Sequence, residues 1–485
     1  MCVDGICCES ACTGTCEACS AQGKCEAITG APKKGKCDGD AMGPCAGSCD
    51  GKERAKCTYP TVECKAPACA GGSATPAVAC SAGTCPAAPA PKTCSLGCFQ
   101  DGCLDIVQIA AGSAHVCALI SDGKVRCWGE NSLGSTGQGG NTGSTPIQQP
   151  TEVSGLTGVK QIASNTEASC ALMSDATVKC WGGNNYGSLG RGGSSDATPH
   201  GDPAAVTGIT GATFIRGSSV GHFCAIVAGG AIKCWGRNDL GQLGDGKTGS
   251  FAVTTPVDVC DIGSSSTPCA TTASGATFVV GGDDFTCAIF AQDKVACWGS
   301  NAAKQLGRVT SSTQNLYPGF VTPELKAKYV TAGNSIACAQ DTMGIAKCWG
   351  SESLGTLGNG QDSGQQVNPV AVCTKADCTT SLTGVTGISS FDESTCAIAN
   401  GAVKCWGTNT AGQLGDGTAT AKQNYAASTT ISMGARYLTS GGQAHLAIVD
   451  DGVNHDVKCW GGEGENMCGT NTTPMDRPTP VSPSW

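Results

Sequence analysis

Charged and aromatic residues are scarce in this chain. Asp, Glu, Lys and Arg make up 14% of its 485 residues and Phe, Trp and Tyr 5%. So few charges leave little material for long amphipathic helices. No run of eighteen apolar residues occurs, so we expect no membrane-spanning segment. The net charge of −9 argues against nucleic acid as a partner, because phosphate binding requires clustered Lys and Arg.

Cysteine and glycine, by contrast, are abundant, at 36 and 71 residues, while there are only five His. Eighteen of the cysteines lie in residues 1–103 and eighteen in residues 104–485. Because the ten-residue cysteine spacing that recurs in the second half does not match zinc sites, we expect disulfides and therefore an oxidising location, extracellular or at the cell surface. The sequence starts without the basic and apolar regions of an export signal, so we expect such a segment upstream of Met1 or already removed.

Residues 1–103 are predicted to form a small, largely irregular domain held by disulfides. They have cysteine every five or six positions and almost no large apolar side chains, so covalent links must supply the stability. The pairing among these eighteen cysteines is left open. Cys16-Glu-Ala-Cys19 has the spacing of a redox or zinc motif, but we interpret it as structural in this context. The segment resembles cysteine-rich modules of predicted secreted proteins from myxobacteria, a resemblance that implies no activity.

Residues 104–485 contain seven copies of one hairpin, beginning with Cys117-Ala-Leu-Ile-Ser-Asp-Gly-Lys-Val-Arg-Cys127-Trp128-Gly129. In the sixth copy an Asn400-Gly401 turn shortens the hairpin by one residue, and the cysteine spacing also shrinks by one. The two cysteines of a copy therefore stay opposite each other, at a non-hydrogen-bonded pair where a disulfide can form. The predicted cross-strand pairs are Cys117–Cys127, Cys170–Cys180, Cys224–Cys234, Cys287–Cys297, Cys338–Cys348 and Cys396–Cys405.

The seventh copy is altered, since Leu446 replaces its first cysteine. Cys459 is then predicted to pair with Cys468, which occupies the Leu position of a following Gln-Leu-Gly motif. Two further pairs, Cys260–Cys269 and Cys373–Cys378, are predicted to close long loops. Because Cys127 and Trp128 are consecutive in a strand, they point to opposite faces, so both faces of each small sheet would be buried between neighbours.

The pattern Gly-x-x-His-x-Cys-Ala-Leu followed by Trp-Gly-x-Asn-x-x-Gly-Gln-Leu-Gly resembles the repeat of the regulator of chromosome condensation family. Asn238-Asp-Leu-Gly-Gln-Leu-Gly-Asp-Gly246 is a clear example. The resemblance implies an all-β fold, a seven-bladed β-propeller over residues 104–485. The family includes a nucleotide-exchange factor, ubiquitin-ligase modules, a plant light receptor and a secreted β-lactamase inhibitor, so the fold transfers better than the activity. We expect Pro480-Val481 to pair near Ile106–Ala110 and close the ring.

No catalytic constellation is evident. Gly217-Ser-Ser-Val-Gly221 matches a nucleophile motif but does not lie between a strand and a helix. His115, His222 and His445 are possible metal ligands, although the repeat places them in separate blades. A cation precedes the second cysteine in six copies, so these side chains would form a ring. The ring could bind an anion. Alternatively, each side chain lies beside the tryptophan of its own strand with its charge in water. The six cations are Arg126, Lys179, Lys233, Lys347, Lys404 and Lys458.

We therefore expect a monomeric, non-enzymatic protein that binds another protein and uses no cofactor or metal. Loops are the usual binding surfaces of propellers, and four aromatic residues are candidate anchors within them: Phe251, Tyr317, Phe320 and Tyr425. The alternatives are a guanine-nucleotide exchange factor, by family analogy, and a secreted inhibitor of a hydrolase.

Overall fold

In the computed structural model the chain divides into two compact units, residues 1–104 and residues 105–485. The structure describes most of the chain from residue 59 onward, with gaps at 60, 71–72, 83, 95, 97, 100–101, 140–144, 451–454, 463, 465 and 471–475. Within residues 1–58 it describes only short paired segments, so the Cys16–Cys19 motif lies partly outside the described residues. No helix in the described part has the length and apolarity needed to cross a membrane.

The first unit consists of short antiparallel pairs linked by disulfides. Cys64–Cys85, Cys69–Cys98 and Cys94–Cys103 join its described segments, and its few buried side chains include Ala74 and Val78. Its strands are β1 Cys2–Val3, β2 Ile6–Cys7, β3 Glu17–Cys19, β4 Cys25–Ala27, β5 Thr29–Gly30, β6 Cys49–Asp50, β7 Glu63–Lys65, β8 Ala68–Ala70, β9 Ser73–Thr75, β10 Val78–Ala79, β11 Lys92–Thr93, β12 Cys98–Phe99 and β13 Gly102–Cys103.

The second unit is a seven-bladed β-propeller, as the sequence predicted. Each blade is a four-stranded antiparallel sheet of consecutive strands, and the first strands of neighbouring blades contact each other around the axis. Blades 1 to 4 comprise β14 Ile106–Ala111, β15 His115–Ile120, β16 Val125–Gly129 and β17 Ile147–Glu152; β18 Val159–Ser164, β19 Ala168–Met173, β20 Val178–Asn184 and β21 Asp196–Ala205; β22 Ala212–Gly217, β23 His222–Val227, β24 Ala231–Asn238 and β25 Ser250–Asp258; and β26 Phe278–Gly281, β27 Phe285–Phe290, β28 Lys294–Ser300 and β29 Gln314–Phe320.

Blades 5 to 7 follow the same plan. They comprise β30 Ala327–Ala332, β31 Ile336–Asp341, β32 Ala346–Ser351 and β33 Gln365–Ala371; β34 Val385–Phe391, β35 Ser394–Ala399, β36 Ala402–Thr408 and β37 Lys422–Ser428; and β38 Ala435–Gly441, β39 Ala444–Asp450, β40 His455–Gly461 and β41 Arg477–Val481. Single 3₁₀ turns, Ala228–Gly230 and Ala291–Asp293, form two of the hairpin ends.

The second and third strands of each blade form the hairpin that the sequence repeats. Cys117 lies opposite Cys127 and Cys396 opposite Cys405, with Cα atoms 4.1 Å apart in both pairs. Asn400 and Gly401 both have positive φ angles, as a two-residue type I′ turn requires. In the structure the cysteines of the propeller form nine disulfides, which are the nine pairs named from the sequence.

The glycine after each tryptophan is required by a tight approach between strands. Gly129 has a φ of 98°, and a Cβ there would lie 2.5 Å from the carbonyl oxygen of Ala114. The pairing between the third and fourth strands also shifts register at this point. The Trp-Gly motif therefore marks a bulge where the third strand bends.

Neighbouring blades interlock through the disulfide of one and the tryptophan of the next. In the first interface the buried Cys117–Cys127 disulfide shares a core with Trp181. In the sixth, Cys396–Cys405 shares a core with Trp460. These contacts use opposite faces of each hairpin, as the alternation of Cys and Trp along the strand predicts.

A repeated hydrogen bond joins the blades as well. Each indole N–H donates to a backbone carbonyl of the preceding blade at 2.7–3.0 Å, in the loop that reads Gly-x-Leu-Gly in four of the blades. The seven bonds run from Trp128 to Met467, Trp181 to Ser135, Trp235 to Ser188, Trp298 to Gln242, Trp349 to Gln305, Trp406 to Thr356 and Trp460 to Gln413.

The expectation about ring closure is wrong. Strand β41 pairs with β40, so that Val481 lies opposite Cys459 and completes blade 7 instead of joining β14. Every blade is already complete from its own repeat, which leaves no vacant strand position in blade 1. The ring closes through side chains instead: the Trp128 indole donates to the Met467 carbonyl at 2.7 Å, and its ring packs edge-on against Trp485.

Candidate functional site

The three histidines singled out in the sequence are buried bridges between blades. The Nε2 atoms of His115, His222 and His445 lie 2.8–2.9 Å from hydroxyl oxygens in the adjacent blade. Burial lowers the pKa of His115 to about 4 and those of His222 and His445 to about 3, with the charge of Arg237 adding to the effect at His222. All three are therefore neutral at pH 7 and occupy three separate interfaces.

The Gly217–Gly221 segment is a turn between strands β22 and β23, not a strand-to-helix elbow. The Ser218 hydroxyl accepts a hydrogen bond from the His222 backbone N–H, and the Ser219 side chain bonds Asp283. The Ser219 carbonyl accepts a further bond from the Thr166 hydroxyl. These contacts fix the turn, and no histidine base approaches Ser219 among the hydrogen bonds that the structure describes.

Three of the six cations that precede the second cysteine form ion pairs with carboxylates. Lys233 pairs with Asp258 at 2.6 Å, Lys347 with Asp341 at 3.1 Å and Lys458 with Asp456 at 2.9 Å. Lys404 donates to the Ser428 hydroxyl instead. The repeat therefore does not produce a ring of free cations suited to one anion.

The four aromatic residues expected in loops lie in outer strands, so their predicted location is wrong, while their role as anchors for a partner stays a prediction. Phe251 is in β25, Tyr317 and Phe320 are in β29, and Tyr425 is in β37. These strands pair along one edge only and tolerate proline, which makes their sequences look irregular. Phe251 is 66% exposed, whereas the Tyr317 hydroxyl contacts Thr267 and Phe320 lies beneath the Lys294 ammonium.

One face of the propeller is rich in carboxylates. We call it the turn face, because it carries the seven turns between first and second strands: residues 112–114, 165–167, 218–221, 282–284, 333–335, 392–393 and 442–443. Asp283 and Asp284 lie in one of these turns and Asp392 and Glu393 in another. Burial, together with the charges of Asp284 and Asp392, raises the pKa of Asp283 to about 6.

Two shallow grooves flank the turn at residues 392–393. One, of about 220 Å³, is lined by Leu354 and Gln443 among others, and the second, of about 190 Å³, by Asn334 and Ser353. Both include Asp392 and Glu393. This turn is not among the sites predicted from the sequence, although Asp392 and Glu393 align with Ser113 and Ala114 of the first copy.

Comparison with known proteins identifies the repeat. Residues 106–135 and 159–188 match the family model of the regulator of chromosome condensation (RCC1) repeat. The chain is 29% identical over 263 residues to the human E3 ubiquitin-protein ligase HERC2, covering 51% of this chain and 5% of that protein. It is 28% identical over 260 residues to the ultraviolet-B receptor UVR8 of Arabidopsis thaliana, covering 53% of this chain and 55% of the receptor. The chain thus spans about half or less of the length of these relatives.

Solved structures show the same fold. Human WBSCR16 superposes with a TM-score of 0.61 at 20% identity, covering 75% of this chain and 90% of its own. Prp20p of Saccharomyces cerevisiae, described with its binding to Gsp1p and histones, gives a TM-score of 0.61 at 16% identity, covering 75% and 87%. Segments of blades 1 and 2 therefore match the RCC1 repeat, and the solved structures share the propeller fold of the whole second unit.

Proposed function

We propose that the chain is an exported or cell-surface protein that binds another protein through its propeller and has no catalytic activity of its own. The observation that carries the proposal is the set of nine disulfides in the propeller, six of them at the same position of six blades. Such disulfides persist in oxidising compartments and are rare where glutathione keeps thiols reduced. His222 and Ser219 support the proposed absence of catalysis. In the described residues, His222 bonds Thr286 of the next blade and Ser219 bonds Asp283, so both side chains hold turns and blades together.

The turn face is the proposed binding surface, and the chain acts as a monomer. The grooves beside Asp392 and Glu393 fit side chains of a partner, and their carboxylates favour a partner with Lys or Arg at its surface. Charge complementarity of this kind mainly increases the association rate, so binding should weaken as salt increases.

A two-part experiment tests the proposal on the full chain. Alkylation under denaturing, non-reducing conditions, followed by mass measurement, should find essentially no free thiols; a majority of free thiols would contradict export. Proximity labelling on intact cells then compares the natural chain with D392N/E393Q, which should lose the labelled partner. The matched control is M343K, an exposed residue in the blade 5 hairpin turn, away from the turn face. Equal labelling by both variants would exclude the turn face.

Guanine-nucleotide exchange is the second candidate, favoured by the likeness to Prp20p, which binds Gsp1p. At 16% identity this likeness establishes the fold alone, so the activity does not transfer with it. Release of a fluorescent guanine nucleotide from purified small GTPases is the direct measurement. We expect no acceleration, and a clear acceleration would replace the first proposal.

A further inference from the structure

The propeller axis contains a small cavity with a single cation in its wall. The cavity has a volume of about 50 Å³ and is lined by inner strands of all seven blades. Alignment of those strands places one residue of each blade at the same level of the axis. Four of these residues are polar, Arg216, Thr331, Ser389 and Thr439, and the other three are alanine or valine.

Arg216 has no carboxylate partner among the ion pairs of the described residues. Its guanidinium donates to the Tyr329 hydroxyl at 2.7 Å, contacts the Tyr437 phenol and lies 5.9 Å from the centre of the Phe278 ring. Phenols are neutral acceptors, so they satisfy some of its N–H groups without balancing its charge. A cation removed from water without a counter-ion is unfavourable. A single negative charge bound beside Arg216 would therefore balance its positive charge.

The hydroxyl groups at the same level are available as donors. Ser389 and Thr439 are 5% and 7% exposed, and their hydroxyls make no hydrogen bond among those described. The Thr331 oxygen accepts the Ser390 backbone N–H at 3.0 Å, which leaves its own hydrogen free to donate. Arg216 and three residues with hydroxyl groups thus line the same small cavity.

We propose that this cavity binds a small monovalent anion of the size of formate or chloride, held by Arg216 and the hydroxyls of Thr331, Ser389 and Thr439. One positive charge with neutral donors matches a single negative charge. A volume of about 50 Å³ has room for a few atoms and not for a larger metabolite. The site is independent of the proposed protein-binding function.

Thermal unfolding of the full chain tests the proposal, with sodium formate compared against sodium gluconate at equal ionic strength. Gluconate has the same charge but is too large for the cavity. The Tm of the natural chain should rise with formate and saturate, and R216M should remove the difference between the two salts. The matched control is R436Q, because the Arg436 guanidinium donates to the Ile106 carbonyl and does not line the cavity. R436Q should keep the formate response.

A second variant covers the case in which R216M does not fold. S389A/T439V keeps Arg216 and should require several-fold more formate for the half-maximal Tm shift. Broadening of the chloride NMR signal by the natural chain, reversed by formate, provides a direct measure of binding. An identical response to formate and gluconate in the natural chain would overturn the proposal, as would an unchanged half-maximal concentration in S389A/T439V.

Discussion

Glu352 departs from the repeat at a position that is asparagine in five of the other six copies and Glu463 in the seventh. In blade 3 the equivalent Asn238 accepts the Leu243 backbone N–H and donates to Asp245, so it uses both its oxygen and its nitrogen. Glu352 is fully buried and faces the Leu357 amide and the Asn359 side chain, without a well-formed hydrogen bond to either. A carboxyl can both accept and donate, as asparagine does, only when it is protonated.

Burial raises the pKa of Glu352 to about 7, and the nearby charge of Asp362 contributes. Since the folded state binds this proton more tightly than the unfolded chain, the contribution of Glu352 to stability falls as pH rises from about 4.5 to about 7. We predict that E352N stabilises the protein by about 3 kcal/mol at pH 8 and gives little gain at pH 4.5. Urea unfolding of both chains at several pH values measures this difference. A gain that does not change with pH would contradict a titrating Glu352.

At the scale of the elements, the hairpin disulfide stabilises a blade in two ways. It closes a short loop in the unfolded chain, and its sulfurs are buried against the tryptophan of the next blade. We predict that C396A/C405A lowers the free energy of unfolding of the propeller by about 3 kcal/mol or more. The control is C373A/C378A, which removes a loop disulfide whose Cys378 is exposed and should cost less. Denaturant unfolding compares the two, and an equal or greater loss in the control would show that packing against Trp460 contributes little.

These elements also show which features the sequence could and could not predict. The register of the hairpins follows from local chemistry, since turn length and cysteine spacing change together at Asn400-Gly401. The aromatic residues of the outer strands were assigned to loops because Tyr317 and Pro318 do not alternate apolar and polar residues, and a strand paired along one edge need not. The carboxylates at Asp283 and Asp392 come together only through the stacking of blades, which no local pattern reveals.

At the scale of the whole molecule, the ring has one junction that differs from the other six. Between blades 7 and 1 the acceptor for the Trp128 indole is the Met467 carbonyl, in a loop that blade 7 ties to β40 through Cys459–Cys468. In the other blades a disulfide joins the second and third strands. The loop position that Cys468 occupies in blade 7 is a leucine in those blades, or Thr136 in blade 1. Because Leu446 replaces the cysteine that would lie opposite Cys459, Cys459 pairs with Cys468 instead. The disulfide of blade 7 is therefore attached to the loop that closes the ring.

This arrangement makes the Cys459–Cys468 disulfide a support of ring closure and not of the hairpin. We predict that C459A/C468A speeds hydrogen exchange in the loop around Met467 and also in strand β16, which carries Trp128 in blade 1. The control C396A/C405A removes a disulfide from blade 6 and should speed exchange in blades 6 and 7 while leaving β16 unchanged. Exchange measured by mass spectrometry on the folded protein distinguishes the two variants. If β16 is equally protected in both, Trp128 and Trp485 hold the junction without help from the disulfide, and closure depends on their packing alone.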